Sequence, residues 1–257
     1  MEFIATYNTD IGTRKDTNQD SLALRIVDSP MGQVAFGIVC DGMGGLAKGE
    51  LASKEVIHAF CKWFDEEFVN TLLEGTFSLA DLRNDWYSII QTQNRRLGKY
   101  GAANHIMLGT TVSAILMMQD EFYIVHVGDS RIYEMTKDAS RQLTNDQTFV
   151  AREVAMGRMT REQAMYDPRR SVLLQCVGAS PVVEPDFVKG KLRRGSVFLL
   201  CSDGFRHQIS DDEMVEKLGP MACISEEDMK YGCVFLTEIV KSRRETDNIT
   251  VAVIKAS

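Results

Sequence analysis

Three apolar runs in this chain each stop at an aspartate beside glycine or a small polar residue: "GIVCDG" at Asp41, "VHVGDSR" at Asp129 and "LLCSDG" at Asp203. A fourth aspartate, Asp247 in "ETDN", stands just ahead of the last apolar run, "NITVAVIKA". A lone aspartate at a strand end is an ordinary turn former. Repetition is a stronger constraint, because strands buried in a core deliver their end residues to common places however far apart they lie in sequence. Carboxylates that met without a cation would repel one another and take up protons. Such a cluster therefore implies a metal site. Hard divalent ions want rigidly held carboxylate oxygens, and with only four histidines in the chain Mg²⁺ or Mn²⁺ fits better than zinc.

The intervening segments read as strands and helices in an informative order. "EFIATYNTD" alternates as a strand, and "SLALRIVD" and "MGQVAFGIVC" are two more, split by the turn "SPMG". From about Gly49 the apolar spacing becomes helical through Leu51, Val56, Phe60, Trp63, Phe64 and Phe68, and "LADLRNDWYSIIQTQNRRLGKY" predicts a second helix. "TTVSAILMM" and "FYIVHV" flank the short turn "QDE", which implies antiparallel neighbours. "SRIYEMT" and "SVFLLCS" are further strands. "TNDQTFVAREVAMG" and "TREQAMYDP" predict short helices with threonine caps, and "SDDEMVEKL" and "SEEDMKYGCVFLTEIVKSRR" predict two more helices. Antiparallel pairs interrupted by helices predict an α+β chain with two sheets covered by helices, not a doubly wound parallel sheet.

Other readings are narrowed by composition and motif. A net charge of -7 without a basic block argues against binding nucleic-acid backbones or acidic membrane surfaces. The N-terminal "MEFIATYNTD" has neither a basic start nor a long apolar stretch, so no signal peptide or membrane insertion is expected. The six cysteines show no compact metal spacing and read as buried apolar residues in a reducing compartment. The glycine-rich "CDGMGGLAKGE" fails as a dinucleotide fingerprint because Ala47 stands where the third glycine belongs. It fails as a P-loop because "KGE" lacks the Gly-Lys-Ser/Thr ending.

The ordered set "NQD", "VCDGMGG", "GTT", "HVGDSRIY", "LTNDQ", "GRMTREQA", "LLCSDG" and "ETDNITVAV" closely resembles the metal-dependent PP2C-type (PPM family) protein serine/threonine phosphatases across essentially the whole chain. The resemblance implies a single phosphatase domain over residues 1–257, built as a four-layer αββα sandwich, with a flap at about 145–171. It implies two core Mn²⁺ or Mg²⁺ ions and a possible third. Asp41 resembles the carboxylate bridging both ions, and the Gly42 carbonyl a further ligand. Asp203 and Asp247 resemble the other ligands of the first ion. Asp129 would join Asp203 at a third site, and Asp20, with Gln19 beside it, would support the second ion partly through water. Asn248 would shape the turn that aims Asp247, and Gly44 and Gly45 would let the chain turn tightly beside the ions. The implied reaction is hydrolysis of phosphoserine and phosphothreonine in proteins by a water activated between two metals, with no covalent intermediate. The implied partners are phosphorylated proteins and a cognate Ser/Thr kinase, and a cytoplasmic monomer is expected.

Three departures from the family pattern matter. Met43 stands where one branch of the family carries a candidate general-acid histidine, so a water must protonate the leaving oxygen, and "DGMGG" resembles the bacterial branch. Counting back from Asn18 to the family's phosphate-binding arginine lands on Lys15, with Arg14 one residue earlier; arginine is the better bidentate phosphate ligand, so Arg14 is favoured and Lys15 is its rival. Gln19 replaces an acidic residue. His126 reads as a structural histidine, and Arg152, Arg158, Arg161, Arg169 and Arg170 on the flap are either substrate contacts or plain surface charge. Two other functions compete: a catalytically silent phosphoprotein-binding scaffold, disfavoured by the intact "CDG", "GDS", "SDG" and "TDN", and a small-molecule phosphomonoesterase.

Overall fold

The computed structural model describes residues 1–43, 48–137 and 139–257. Its strands are β1 (Phe3–Asp10), β2 (Ser21–Ser29), β3 (Gly32–Cys40), β4 (Val112–Met118), β5 (Glu121–Val127), β6 (Arg131–Met135), β7 (Ser140–Gln142), β8 (Asp186–Lys191), β9 (Val197–Cys201) and β10 (Ile249–Ala256). Its α-helices are α1 (Gly49–Lys62), α2 (Val69–Glu74), α3 (Leu79–Asn104), α4 (Phe149–Ala155), α5 (Arg161–Tyr166), α6 (Asp203–Arg206), α7 (Asp211–Leu218) and α8 (Glu226–Ser242). The strands form two five-stranded sheets, ordered β1-β10-β9-β6-β7 and β2-β3-β4-β5-β8. Every pairing within them is antiparallel, as the hairpin-like turns predict. Gly44 and Gly45, expected to form a tight turn, lie outside the described residues.

The period-two geometry of a strand sends alternate side chains to opposite faces. In β4, Ile115 and Met117 enter the core between the sheets, whereas Ala114, Leu116 and Met118 face the core under α1 and α3. In β9, Phe198 and Leu200 face the inter-sheet core, and Val197, Leu199 and Cys201 pack under α7 and α8. Both faces of the central strands are thus covered, which explains why they read as nearly continuous apolar runs. The layers are helices, sheet, sheet, helices. All six cysteines are buried free thiols within this packing. No helix among the described residues is long and apolar enough to cross a membrane.

One irregularity builds the aromatic centre of the first helical layer. Between α1 and α2 the chain forms a π-helical turn over Trp63–Phe68. Residues five apart lie about 140° apart around an α-helix, but a π turn brings them into line. Trp63 and Phe68 accordingly meet with ring centroids 5.1 Å apart. Phe64 joins the same cluster, its ring 5.2 Å from Phe36 of β3. Phe64 and Phe68, four apart, share a face in a regular helix as well; the π turn brings Trp63 beside them, 6.2 Å from Phe36. Phe36→Ala is expected to cost about 3–5 kcal/mol, read as a lower urea-unfolding midpoint. Leu73→Ala, at a largely exposed position, should stay within about 0.5 kcal/mol of the parent.

Candidate active site

The carboxylates expected to converge all lie at one end of the sandwich. Asp41 directly follows β3, Asp20 precedes β2, Asp129 follows the turn after β5, Asp203 opens α6 after β9, and Asp247 lies just before β10. Backbone contacts lock Asp41 in place. Its amide donates to Thr111 Oγ1 at 2.9 Å, and its carbonyl accepts from the Thr111 amide at 2.9 Å and from Thr110 Oγ1 at 2.9 Å. The Gly42 amide donates to the Gln19 carbonyl at 3.1 Å. A side chain at Gly42 would meet that carbonyl and the Gly49 carbonyl, each at 2.5 Å, so only glycine permits β3's end, the Gln19 loop and the start of α1 to close together.

Asp247 is presented by a second set of contacts. Asn248 Oδ1 accepts from the Gln19 amide at 2.9 Å, and its Nδ2 donates to the carbonyls of Ile11 at 2.9 Å and Thr17 at 3.2 Å. One amide side chain therefore holds the β1–β2 loop onto the turn carrying Asp247. The Gln19 side chain itself reaches toward Glu50, with Nε2 3.5 Å from Oε2. Gly12 has φ of +79°, and a Cβ there would collide with the Asp247 carbonyl, so the loop lies flat on that turn.

The convergence is visible in the electrostatics. Burial, reinforced by Asp20, Asp203, Asp129 and Asp247, pushes the Asp41 carboxyl well above the usual range. Burial and then the fields of Asp203 and Asp247 raise Asp20 to about 7, tempered by the nearby Thr250 and Ser202 hydroxyls. Neither Asp20 oxygen makes a full hydrogen bond, although both are buried. Asp129 is likewise raised to about 7, chiefly by burial and next by Asp203, against the opposing pull of Arg206 and His207. Among the described residues, no group of three or more His, Cys, Asp or Glu side chains is arranged to hold a metal ion. The chemistry nonetheless fits a hard divalent cation: oxygen donors alone, two of them buried and unpartnered, whose charges resist one another's ionisation.

Lys15 partly meets that demand. Its Nζ stands 2.9 Å from Asp247 Oδ1. Burial works against the ammonium, but Asp247 and the fields of Asp41 and Asp203 outweigh it and raise its pKa. Arg14 is exposed, and among the described residues its side chain makes no hydrogen bond or ion pair. The sequence rivals for phosphate thus occupy different places: Lys15 stands at the carboxylates, and Arg14 outside them.

Several neighbours were not singled out by the sequence. Glu245 Oε1 accepts from the amides of Thr246 at 2.7 Å and Asp247 at 3.1 Å, bracing the turn. His207 lies between Asp203 Oδ2 at 3.7 Å and Glu245 Oε2 at 3.6 Å. Both residues flank the "SDG" and "TDN" motifs, and that adjacency was the only available signal. His126 is fully buried, with Nδ1 2.9 Å from Ser113 Oγ and Nε2 3.0 Å from the Asn145 carbonyl, a structural arrangement. In the segment expected to form a flap, Arg158 pairs with Glu153 and Arg169 with Asp167. Arg161 and Arg170 are exposed, with no side-chain hydrogen bond or ion pair among the described residues.

The raised carboxylates have a consequence for the metal-free protein. An unfolded aspartate titrates at about 4, whereas Asp20 and Asp129 do so at about 7 in the fold. Between these values the native state holds protons that the unfolded chain has released, so stability falls as pH rises through that window. In a chelator the thermal midpoint should therefore be higher at pH 5.5 than at pH 8, by ~2–4 °C for each kcal/mol lost. Asp20→Asn should flatten the slope. A midpoint that climbs from pH 5.5 to pH 8 in chelator would contradict this reading.

Comparison with known proteins places this geometry. Residues 12–231 match the family model for protein phosphatase 2C. A putative protein phosphatase 2C-type from Streptococcus pyogenes is 30% identical over 248 residues, covering 96% of this chain and 94% of that protein. The solved serine/threonine phosphatase of S. agalactiae superposes with a TM-score of 0.82 at 28% identity, covering all of both chains. The catalytic domain of the serine/threonine protein phosphatase PstP, solved in complex with two manganese ions, gives a TM-score of 0.77 at 29% identity, covering 98% of this chain and 97% of that one.

Proposed function

The chain belongs to the protein phosphatase 2C family and is a serine/threonine phosphatase, and from that premise we propose that it hydrolyses phosphoserine and phosphothreonine in proteins at the carboxylate end of its two sheets, by direct attack of water. The observation carrying this reading is the meeting of Asp41, Asp20, Asp129, Asp203 and Asp247, strong enough for each of the other four to disfavour ionisation of Asp41. Asp41, Asp203 and Asp247 would hold the first of two Mn²⁺ or Mg²⁺ ions, and the Gly42 carbonyl would supply a further ligand. Asp41 would also bridge to the second, with Asp20 behind it. PstP, a relative of the same fold, supports the choice of ion. When bound, such ions acidify water and neutralise charge on phosphoryl oxygens.

The chain's own contribution is position and charge. The Thr110 and Thr111 contacts fix Asp41, and Asn248 and Glu245 fix Asp247, so the acceptors are set before any ligand arrives. Lys15 is the cation at the carboxylates, which favours it over Arg14 as the group that orients the phosphoryl oxygens. Position 43 is methionine, so a water, metal-bound or from solvent, would protonate the leaving oxygen. Phosphorylated proteins are the substrates of this reading. A cognate Ser/Thr kinase, a cytoplasmic address and a monomeric state belong to the same proposal.

Release of phosphate from a phosphothreonine peptide, with and without Mn²⁺, tests the function. Wild type should require the ion, and Asp203→Ala should lose roughly 100-fold or more of the rate. Folded, ion-supplied wild type that releases no phosphate would overturn the assignment, and undiminished Asp203→Ala would overturn the ligand role. Lys15→Ala should raise KM by about tenfold, the worth of one charge-assisted hydrogen bond. Arg14→Ala should raise it less, and the reverse order would return the phosphate contact to Arg14.

A further inference from the structure

The Asp129 end of the centre carries a cation built from the chain itself. Arg206 closes the short helix α6 that Asp203 opens, so one turn delivers both side chains to the site. Only 12% of the Arg206 side chain is exposed. Its Nη2 lies among three oxygens, 3.5 Å from the Asp129 carbonyl, 3.7 Å from Asp129 Oδ2 and 3.5 Å from Asp146 Oδ2. Asp146 is in turn held by both prongs of Arg131, Nε to Oδ1 at 2.8 Å and Nη2 to Oδ2 at 2.7 Å. Arg131 is steadied by donating to the Tyr133 hydroxyl at 2.8 Å. Charges alternate along this chain of contacts: Arg131, Asp146, Arg206, Asp129. It is a buried and braced arrangement, unlike the loose surface pairs that contribute little.

This arrangement disagrees with a third divalent ion on Asp129 and Asp203. A guanidinium stays protonated at all accessible pH, and here it stands against the carboxylate that such an ion would need. A divalent charge beside it would face like-charge repulsion in a site with little water to screen it. We propose that Arg206 takes the place of a third ion: it neutralises Asp129, keeps that carboxylate from ligating, and limits the centre to two ions. The inference rests on the two-ion reading above. Arg206 is a positioning residue here, acting through Asp129.

Counting bound Mn²⁺ tests it without recourse to turnover. Equilibrium dialysis against Mn²⁺, with the metal quantified by atomic absorption, should give two ions per wild-type chain. Arg206→Ala should bind a third, and the double variant Arg206→Ala/Asp129→Ala should return to two. Arg206→Lys, which keeps the charge, should remain at two. Should the alanine variant fail to fold by circular dichroism, Arg206→Gln removes the charge while keeping most of the side chain, and the third ion is expected there. Three ions on wild type, one of them lost in Asp129→Ala, would overturn the proposal while leaving the two-ion reading intact. Folded, charge-removed variants that still bind two would also overturn it. No ion on wild type would instead overturn the two-ion reading itself.

Discussion

The mutual repulsion of aspartates brought to one end of a rigid sandwich is the constraint that the rest of the structure serves. Carboxylates free to move would separate or be hydrated. Here they cannot, because each follows or precedes a strand or helix whose side chains are locked into one of three apolar cores. The apolar packing therefore does more than stabilise the fold. It holds like charges within range of one another and makes the site demand positive charge.

That demand is met in two different ways at the two ends of the cluster. Around Asp41, Asp20 and Asp247 the protein's own cation is one lysine, on a flexible stem and paired to a 40% exposed carboxylate. An ammonium of that kind exchanges readily with water or a ligand. Around Asp129 the cation is a guanidinium, nearly buried and tied to a second arginine through Asp146. The first cation is held, among the described residues, by one ion pair. The second is braced through Asp146 and Arg131.

The strand-end aspartates were legible because their chemistry repeats at the same structural position, and the sheets because hairpin turns punctuate apolar runs. The remaining features depend on contacts that no local pattern encodes. Trp63, Phe64 and Phe68 read as part of a regular helix, and no local pattern announced the π turn that sets Trp63 against Phe68. Strand β8, "DFVKGK", carries two lysines and a glycine and looks unlike a strand. It forms at the sheet edge, where Gly190 lies against the Phe122 ring and the lysines reach Glu121 and Asp120. Lys15 and Arg14 are neighbours of similar charge, so their division between inside and outside depends on the loop path set by Gly12 and Asn248.

Arg206 was the least legible of these residues, since "SDGFRH" does not distinguish an exposed arginine from an inward one. Its direction follows from its place in α6, three residues after Asp203. A helix that opens at a site carboxylate returns to the same face after one turn of 3.6 residues, so the residue three places after Asp203 must point back toward the cluster. The companion position, His207, lies four places on and meets Asp203 and Glu245 by the same geometry. The motif that supplies the acid thus also places a cation and an imidazole behind it, and a short helix starting at a clustered aspartate should be read for its next turn as well as for its first residue.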